Sequence, residues 1–580
     1  MTAFRSFAAL VFAACATAAS SLALAAAPVD SRLAVLEAMK SELARSQHEL
    51  KLKGHEAPYF IAYEVKDEAS QEVAGRFGSL FLDGERRTRR AHVDVRVGDY
   101  DFDSSGPNEM FDFDAVDSGY SPQRELPLDD DPASIRGALW LVTDETYKKA
   151  LSSYLKKRGK EVYRAEESDR APSFSKEPPQ KRIDAPLPAP FARERWAAIV
   201  RRLTSQLRTH PEFYDSMMRV TVDKTVRWLA STEGAELVTE SAIYGIHVQA
   251  FARAPDGMFL ENGRDYYAST EAGLPNETRL AAESQQMSSE LIALQKAPAI
   301  DPYTGPALLE PQATGVFFHE AVGHRLEGER QNDDKEGRTF KGQVGHAVLP
   351  AFLSVIDDPT LEAVDGEPLN GHYAFDDQGV PAQRTPLVVD GVLKTYLMSR
   401  APVKGFSRSN GHGRAAGNRE PVARMANTVV ESKNQLDDAE LRRQLVELAK
   451  KQGKPYALLI KDVTGGNTNT SGFDYQAFKG QPRLVTRIDV ATGKEELVRG
   501  VEIVGTPLTT INKIVATGKK RGVFNGYCGA ESGYVPVSTV APAALIAEVE
   551  LQRKREENGR PPLLPAPWAT PAAATAASPR

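Results

Sequence analysis

FFHEAVGHRLEGER, residues Phe317–Arg330, carries two histidines, His319 and His324, with Glu320 directly after the first. In the metal-binding helix pattern H-E-x-x-H the histidines stand at i and i+4 and share one face. Here they stand at i and i+5, and a regular α-helix turns the second side chain roughly 140° from the first. Either the two histidines are hydrogen-bonded on different faces, or the helix is locally distorted to make a metal site. Gly323 is a poor helix former just before His324. A π-bulge or a helix end at that point returns both imidazoles to one side. Upstream, GPALLEPQATGVFFHEAVGH reads as a short strand, a turn at Pro311 and a helix entering with Phe317 and Phe318 buried.

A catalytic zinc takes three protein ligands and leaves its fourth position to water. Two histidines therefore need a third partner, and Glu327, Glu329, His346, His372, His412 and Cys528 are candidates. Cys528 is the most telling. It lies in FNGYCGAESGYVPVS, whose small residues allow close backbone approach, and a thiolate suits zinc.

The first residues bear on that cysteine. MTAFRSFAALVFAACATAASSLALAAAPVDS has Arg5, an apolar run and Ala23-Leu24-Ala25, and reads as a secretory signal peptide over residues 1–25. Cys15 as an acylated lipoprotein residue is the alternative, with Phe12 where such signals usually carry leucine. The expected location is periplasmic or secreted. With the signal removed, Cys528 is alone in an oxidising compartment and cannot form an intramolecular disulfide. It is then buried, reactive or metal-bound.

The chain of 580 residues exceeds one compact core. Its 41% hydrophobic and 26% charged composition, with net charge −6, gives no basic footprint for nucleic acid. After the N-terminus no apolar stretch is long enough to span a bilayer. The expected division is an N-terminal domain over 26–296, a C-terminal domain over 297–555 and a disordered tail over 556–580. Helices are expected over 30–50, 141–158, 192–208, 279–295 and 438–452, and strands over 59–65, 92–97, 218–230 and 235–252. Asp390-Gly391 signals a hairpin. Residues 165–190, rich in proline and charge, read as an exposed extended connector. From Tyr456 to Leu551 the pattern is mainly strand, broken by TGGNTNTSG. The fold class is α/β (α+β), with the C-terminal domain the more strand-rich.

HEAVGHRLEGE, GHYAFDDQGVPAQRT, LVVDGVLKTYLMSR, NGHGRAAGNREPVARMANT and GYCGAESGYVPVS together resemble the TldD/PmbA metallopeptidases, once called modulators of DNA gyrase. The resemblance covers roughly residues 215–550. It implies that His319, His324 and Cys528 hold the metal and that Glu320 is the catalytic acid/base. On the same ground His412, Arg424 and Asn427 are candidates to approach the substrate. Inactive partner subunits of the family lack the motif, whereas every ligand is present here, which implies the active type. Relatives form two-subunit hollow particles, so a homodimer, or a heterodimer with a family paralogue, is expected. The export signal and the 165–190 insert depart from the family pattern, but neither touches the metal residues.

The expected function is a zinc-dependent peptidase acting on short or unfolded polypeptides. The alternative is a non-enzymatic exported peptide-binding subunit with a structural metal, which a fourth ligand such as Glu327 or His346 would mark. A His/His/Cys set also accepts iron or copper, so a metal redox enzyme is a third reading.

Overall fold

The computed structural model describes residues 30–106, 123–161, 171–332, 340–468, 478–505, 507–554, 559, 564 and 566–568. The signal-like segment 1–25 lies outside them, as do residues 165–170 of the connector and most of the tail.

The first half is built on two long hairpins. β1 (Pro58–Arg76) and β2 (Ser79–Val97) turn through Phe77 and Gly78 with φ of 54° and 84°, the positive angles that a two-residue hairpin requires. β3 (Lys181–Ile183) pairs parallel to β5, while β4 (Phe213–Ser231), β5 (Glu236–Arg253) and β6 (Phe259–Ala268) pair antiparallel. The sheet order is β2-β1-β4-β5, with β3 and β6 both on the last strand.

Strand side chains alternate between faces, and the alternation assigns the sheet two jobs. Ile61, Tyr63, Val65, Trp228 and Ala230 point into one core under α1 (Ser31–Glu49) and α2 (Pro132–Glu161). Further along the same face of β4, Met218, Val220 and Val222 pack under α3 (Arg193–Leu207) and α4 (Glu277–Lys296). Between them lie Glu64, Lys66, Arg227 and Leu229 on the opposite face, which meets the loop 374–378 of the second half. The helices thus cover one face and leave the other to dock.

The second half is a twelve-stranded sheet drawn from residues 303–553. β7 (Tyr303–Leu309) leads into α5 (Pro311–Ala321), with Pro311 at its start where a missing N–H costs nothing. Gly315 of α5 lets the helix approach the sheet closely: a Cβ there would lie 3.3 Å from the Thr539 carbonyl. β8 (Leu353–Asp357) pairs with the strand Asn427–Ser432. The long hairpin Ile514–Ala530 and Gly533–Arg553 carries Cys528 opposite Val535 near its tip.

Several sequence expectations change. In its described part the connector is extended and largely exposed, as expected, but it is pinned at Phe174, Ser175 and Glu177. Phe174 is 2% exposed between the guanidinium groups of Arg96 and Arg400, and Glu177 receives Arg408 and the Ser409 N–H. Residues 171–183 therefore strap the two halves together. The break expected at 464 is absent through Thr468, which still belongs to strand Tyr456–Thr468; residues 469–472 lie outside the described residues. In the tail, where disorder was expected, Trp568 packs on Phe77 with ring centroids 4.9 Å apart. Asp390 and Gly391 turn the expected hairpin with φ of 51° and 79°. Among the described residues no helix is long and apolar enough to cross a membrane.

Candidate metal centre

The spacing problem is solved by ending the helix. α5 stops at Ala321, Val322 takes φ −116° and ψ −50°, and a 3-10 turn follows over Gly323–Leu326. No π-bulge occurs in this segment. A 3-10 turn advances each residue by about 120°, which alone would carry His324 further round. The change of direction at Val322 re-aims it. Gly323 permits that change by close packing: a Cβ there would lie 1.9 Å from Met425 Sδ.

The result is a compact donor set. His319, His324 and Cys528 are buried and offer one ligand atom each, all within 4.8 Å of one another. The two imidazole rings are 5.1 Å apart and nearly perpendicular, at 86°. His324 Nε2 lies 3.4 Å from Cys528 Sγ. Burial opposes ionisation of the thiol, but charge and hydrogen bonds from His319 and His324 hold it well below its usual range. His319 Nδ1 is buried with no hydrogen-bond partner. Such an orphaned atom is costly in a dry interior unless something binds it. Two imidazoles, a low-pKa thiol and an unpartnered nitrogen fit a zinc-class cation.

Glu320, next to His319 on α5, is half-buried. Its Cγ rests where a side chain at Gly466 would be, since a Cβ at that glycine would come within 2.4 Å of it. Arg325 Nη1 donates to the Glu320 carbonyl at 2.9 Å, which ties the helix end to the following turn.

The other third-ligand candidates go elsewhere. Glu327 stands on the far side of His324, with Oε2 3.2 Å from Nδ1. Burial works against its charge, yet Arg330, His324 and Arg424 keep the carboxyl well below the usual range. Burial pushes Glu329 up to about 8, and it is bonded to Ser399 and the Ala423 N–H. His346 and His372 are exposed.

His412, Arg424 and Asn427 are all at 0% exposure. His412 lies between Asn410 and Asp357, and Asn427 donates to the Leu361 carbonyl. Arg424 spans Cys528, Ser532 and Gly533. None of the three, expected to approach a substrate, is exposed at the surface of the chain, and each is held by the hydrogen bonds named. Sequence reasoning missed Met425, Gly466 and the structural use of Arg424. Only the i, i+3 spacing of His324, Glu327 and Arg330 could have hinted at the buried chain of partners beside the ligands. A separate cleft lies where the halves meet, lined by Glu64, His92, Arg96, Asp377 and Arg400 among others. None of the three clustered residues lines it.

Residues 302–553 match a family model described as the PmbA/TldA metallopeptidase C-terminal domain. A metalloprotease of Methanocaldococcus jannaschii is 29% identical over 287 residues, covering 48% of this chain and 58% of that protein. A zinc metalloprotease TldD homolog of Saccharolobus solfataricus is 26% identical over 249 residues, covering 42% and 51%. The matched region spans about half the length of these relatives. The crystal structure of TldE from Thermococcus kodakarensis shares the fold, with a TM-score of 0.58 at 13% identity, over 89% of this chain and 100% of that one.

Proposed function

Because residues 302–553 match the PmbA/TldA metallopeptidase C-terminal domain, we propose that the chain is a zinc-dependent peptidase of the TldD/PmbA family with its centre at His319, His324 and Cys528. The observation that carries this is the convergence of those three ligand atoms within 4.8 Å, with the half-buried Glu320 next in sequence to His319. No other cluster of this kind occurs among the described residues, and neither Glu327 nor His346 closes the set. That favours catalysis over a structural metal.

A zinc held there supplies Lewis-acid polarisation of the scissile carbonyl and a more acidic water. The chain's own part is proton handling. Glu320 carries the carboxylate nearest in sequence to the donors; it takes the proton from the attacking water and returns it to the leaving amine. Gly466 leaves room for its side chain, and the helix end fixes its root.

The substrate in this reading is a short or unfolded polypeptide. The ligands are 5% (His319), 7% (His324) and 4% (Cys528) exposed, and they come from segments 204 residues apart. Such a site admits extended backbone, adding along strand edges, and not a folded surface. Digestion of one small protein in native and permanently unfolded forms tests this, with cleavage expected only of the unfolded form; equal cleavage of both contradicts it. The proposal extends to export through residues 1–25 and to a paired particle, homodimeric or with a paralogue. An intact Met1 terminus in the native host contradicts export.

A further inference from the structure

Arg424 has a place that neither the ligand set nor the acid/base role accounts for. Its guanidinium is fully buried. On one side Nη2 donates to the Cys528 carbonyl at 2.7 Å, and Nη1 donates to Ser532 Oγ at 2.8 Å and the Gly533 carbonyl at 3.1 Å. On the other side Nε lies 3.5 Å from Glu327 Oε1. The second oxygen of Glu327 takes Arg330 Nε at 2.6 Å and faces His324 Nδ1 at 3.2 Å.

One cation therefore touches the hairpin that bears Cys528 and the carboxylate that touches His324. This is a short route between two ligands 204 residues apart. The chemistry at its end is specific. A proton held on Nδ1 by Glu327 leaves the Nε2 lone pair free, and Nε2 is the atom that faces the Cys528 sulfur. The other tautomer would present an N–H to the centre.

We infer that Glu327 and Arg424 are positioning residues of the centre: Glu327 selects the tautomer of His324, and Arg424 sets the separation of His324 from Cys528. The inference rests on the metal reading above. A carboxylate behind a ligating histidine typically carries a 10–100-fold share of metal affinity, so the effect is measurable without turnover.

The test is metal binding by purified full-length protein, read by zinc competition against a chelator and by the absorption spectrum of the cobalt form. Glu327→Gln and Arg424→Lys are expected to weaken zinc about 10–100-fold and to shift the cobalt–thiolate and ligand-field bands. Ser532→Ala removes one hydroxyl and no charge, so it keeps the question open if either charged variant fails to fold. It is expected to weaken zinc about fivefold, the share of one hydrogen bond, with a smaller spectral shift. Wild-type binding with unchanged affinity and spectra in the folded variants overturns the inference alone. Wild-type protein that takes up neither zinc nor cobalt overturns the metal reading and the inference with it.

Discussion

Two of the buried polar clusters among the described residues are built on opposite plans. At the junction of the halves, Lys66 lies 3.2 Å from Asp377 and donates to the Ala415 carbonyl. Arg227 donates to Asp377 and to the carbonyls of Phe375 and Asp376. Cations and anions there close on one another across the interface. Around Cys528, by contrast, charged partners stand behind the donors: Arg330 donates to Glu327 and Arg424 lies 3.5 Å from it, while His319 Nδ1 has neither a hydrogen bond nor a carboxylate partner. The first cluster balances its charges across the halves and acts as a joint, although both buried Glu64 carboxylate oxygens lack a hydrogen-bond partner. The second is complete only around something else. Buried charge alone thus does not mark a site; an unpaired, converging donor set does.

If that contrast is right, changes in one cluster move activity and metal, and changes in the other move stability. The largest expected effect is at Glu320. Glu320→Gln removes the proton carrier and keeps the side-chain shape, so peptide turnover falls by roughly 10²–10⁴-fold with unchanged melting temperature. Retained turnover would return Glu320 to a merely structural position.

Next is the joint. Asp377→Asn leaves Lys66 and Arg227 with Glu64 as their nearest remaining carboxylate, and breaking a buried pair in this way costs up to about 3–5 kcal/mol. Calorimetry should show the loss while zinc content stays at the wild-type level. Loss of zinc would mean that the two clusters are coupled.

Gly323→Ala probes the boundary between the plans. Its methyl group would collide with Met425 Sδ, an overpacking cost of about 1–3 kcal/mol. Because the residue also turns the chain into His324, zinc affinity should fall with stability. A stability loss with unchanged zinc affinity would separate the helix end from the centre.

The last prediction concerns pH at the joint. Burial raises Glu64 from 4.5 to about 8. The folded form therefore keeps a proton that the unfolded form releases above pH 4.5, and wild-type stability declines as pH rises from there through about 8. Glu64→Gln lacks that dependence. Its melting temperature relative to wild type should climb across this window and stay flat below it. Parallel curves would show that Glu64 keeps its charge.

How much of this was legible in sequence follows the range of the physics. The histidine spacing, Gly323 and Pro311 are local signals, and they pointed to a distorted or ending helix; the structure selects the ending. Cys528 stood out by its small neighbours and by being the lone cysteine after residue 15. Arg424 did not stand out, because its role exists only where three distant segments meet. β6 was missed for a local reason. Its Asn262-Gly263 reads as a turn, yet Asn262 is buried and bonded to Met287 and Glu290, and Gly263 is small because the Val248 carbonyl is close. The strap at 171–183 read as a linker since proline and charge look alike whether solvated or pinned.

The central claim is that the hairpin cysteine and the two helix-end histidines hold one metal between them. The direct measurement is zinc per chain in purified wild type, Glu320→Gln and Cys528→Ser, with folding checked by circular dichroism. The account predicts about one zinc in the first two and its loss, with the fold intact, in Cys528→Ser. Full zinc occupancy in folded Cys528→Ser protein would contradict it.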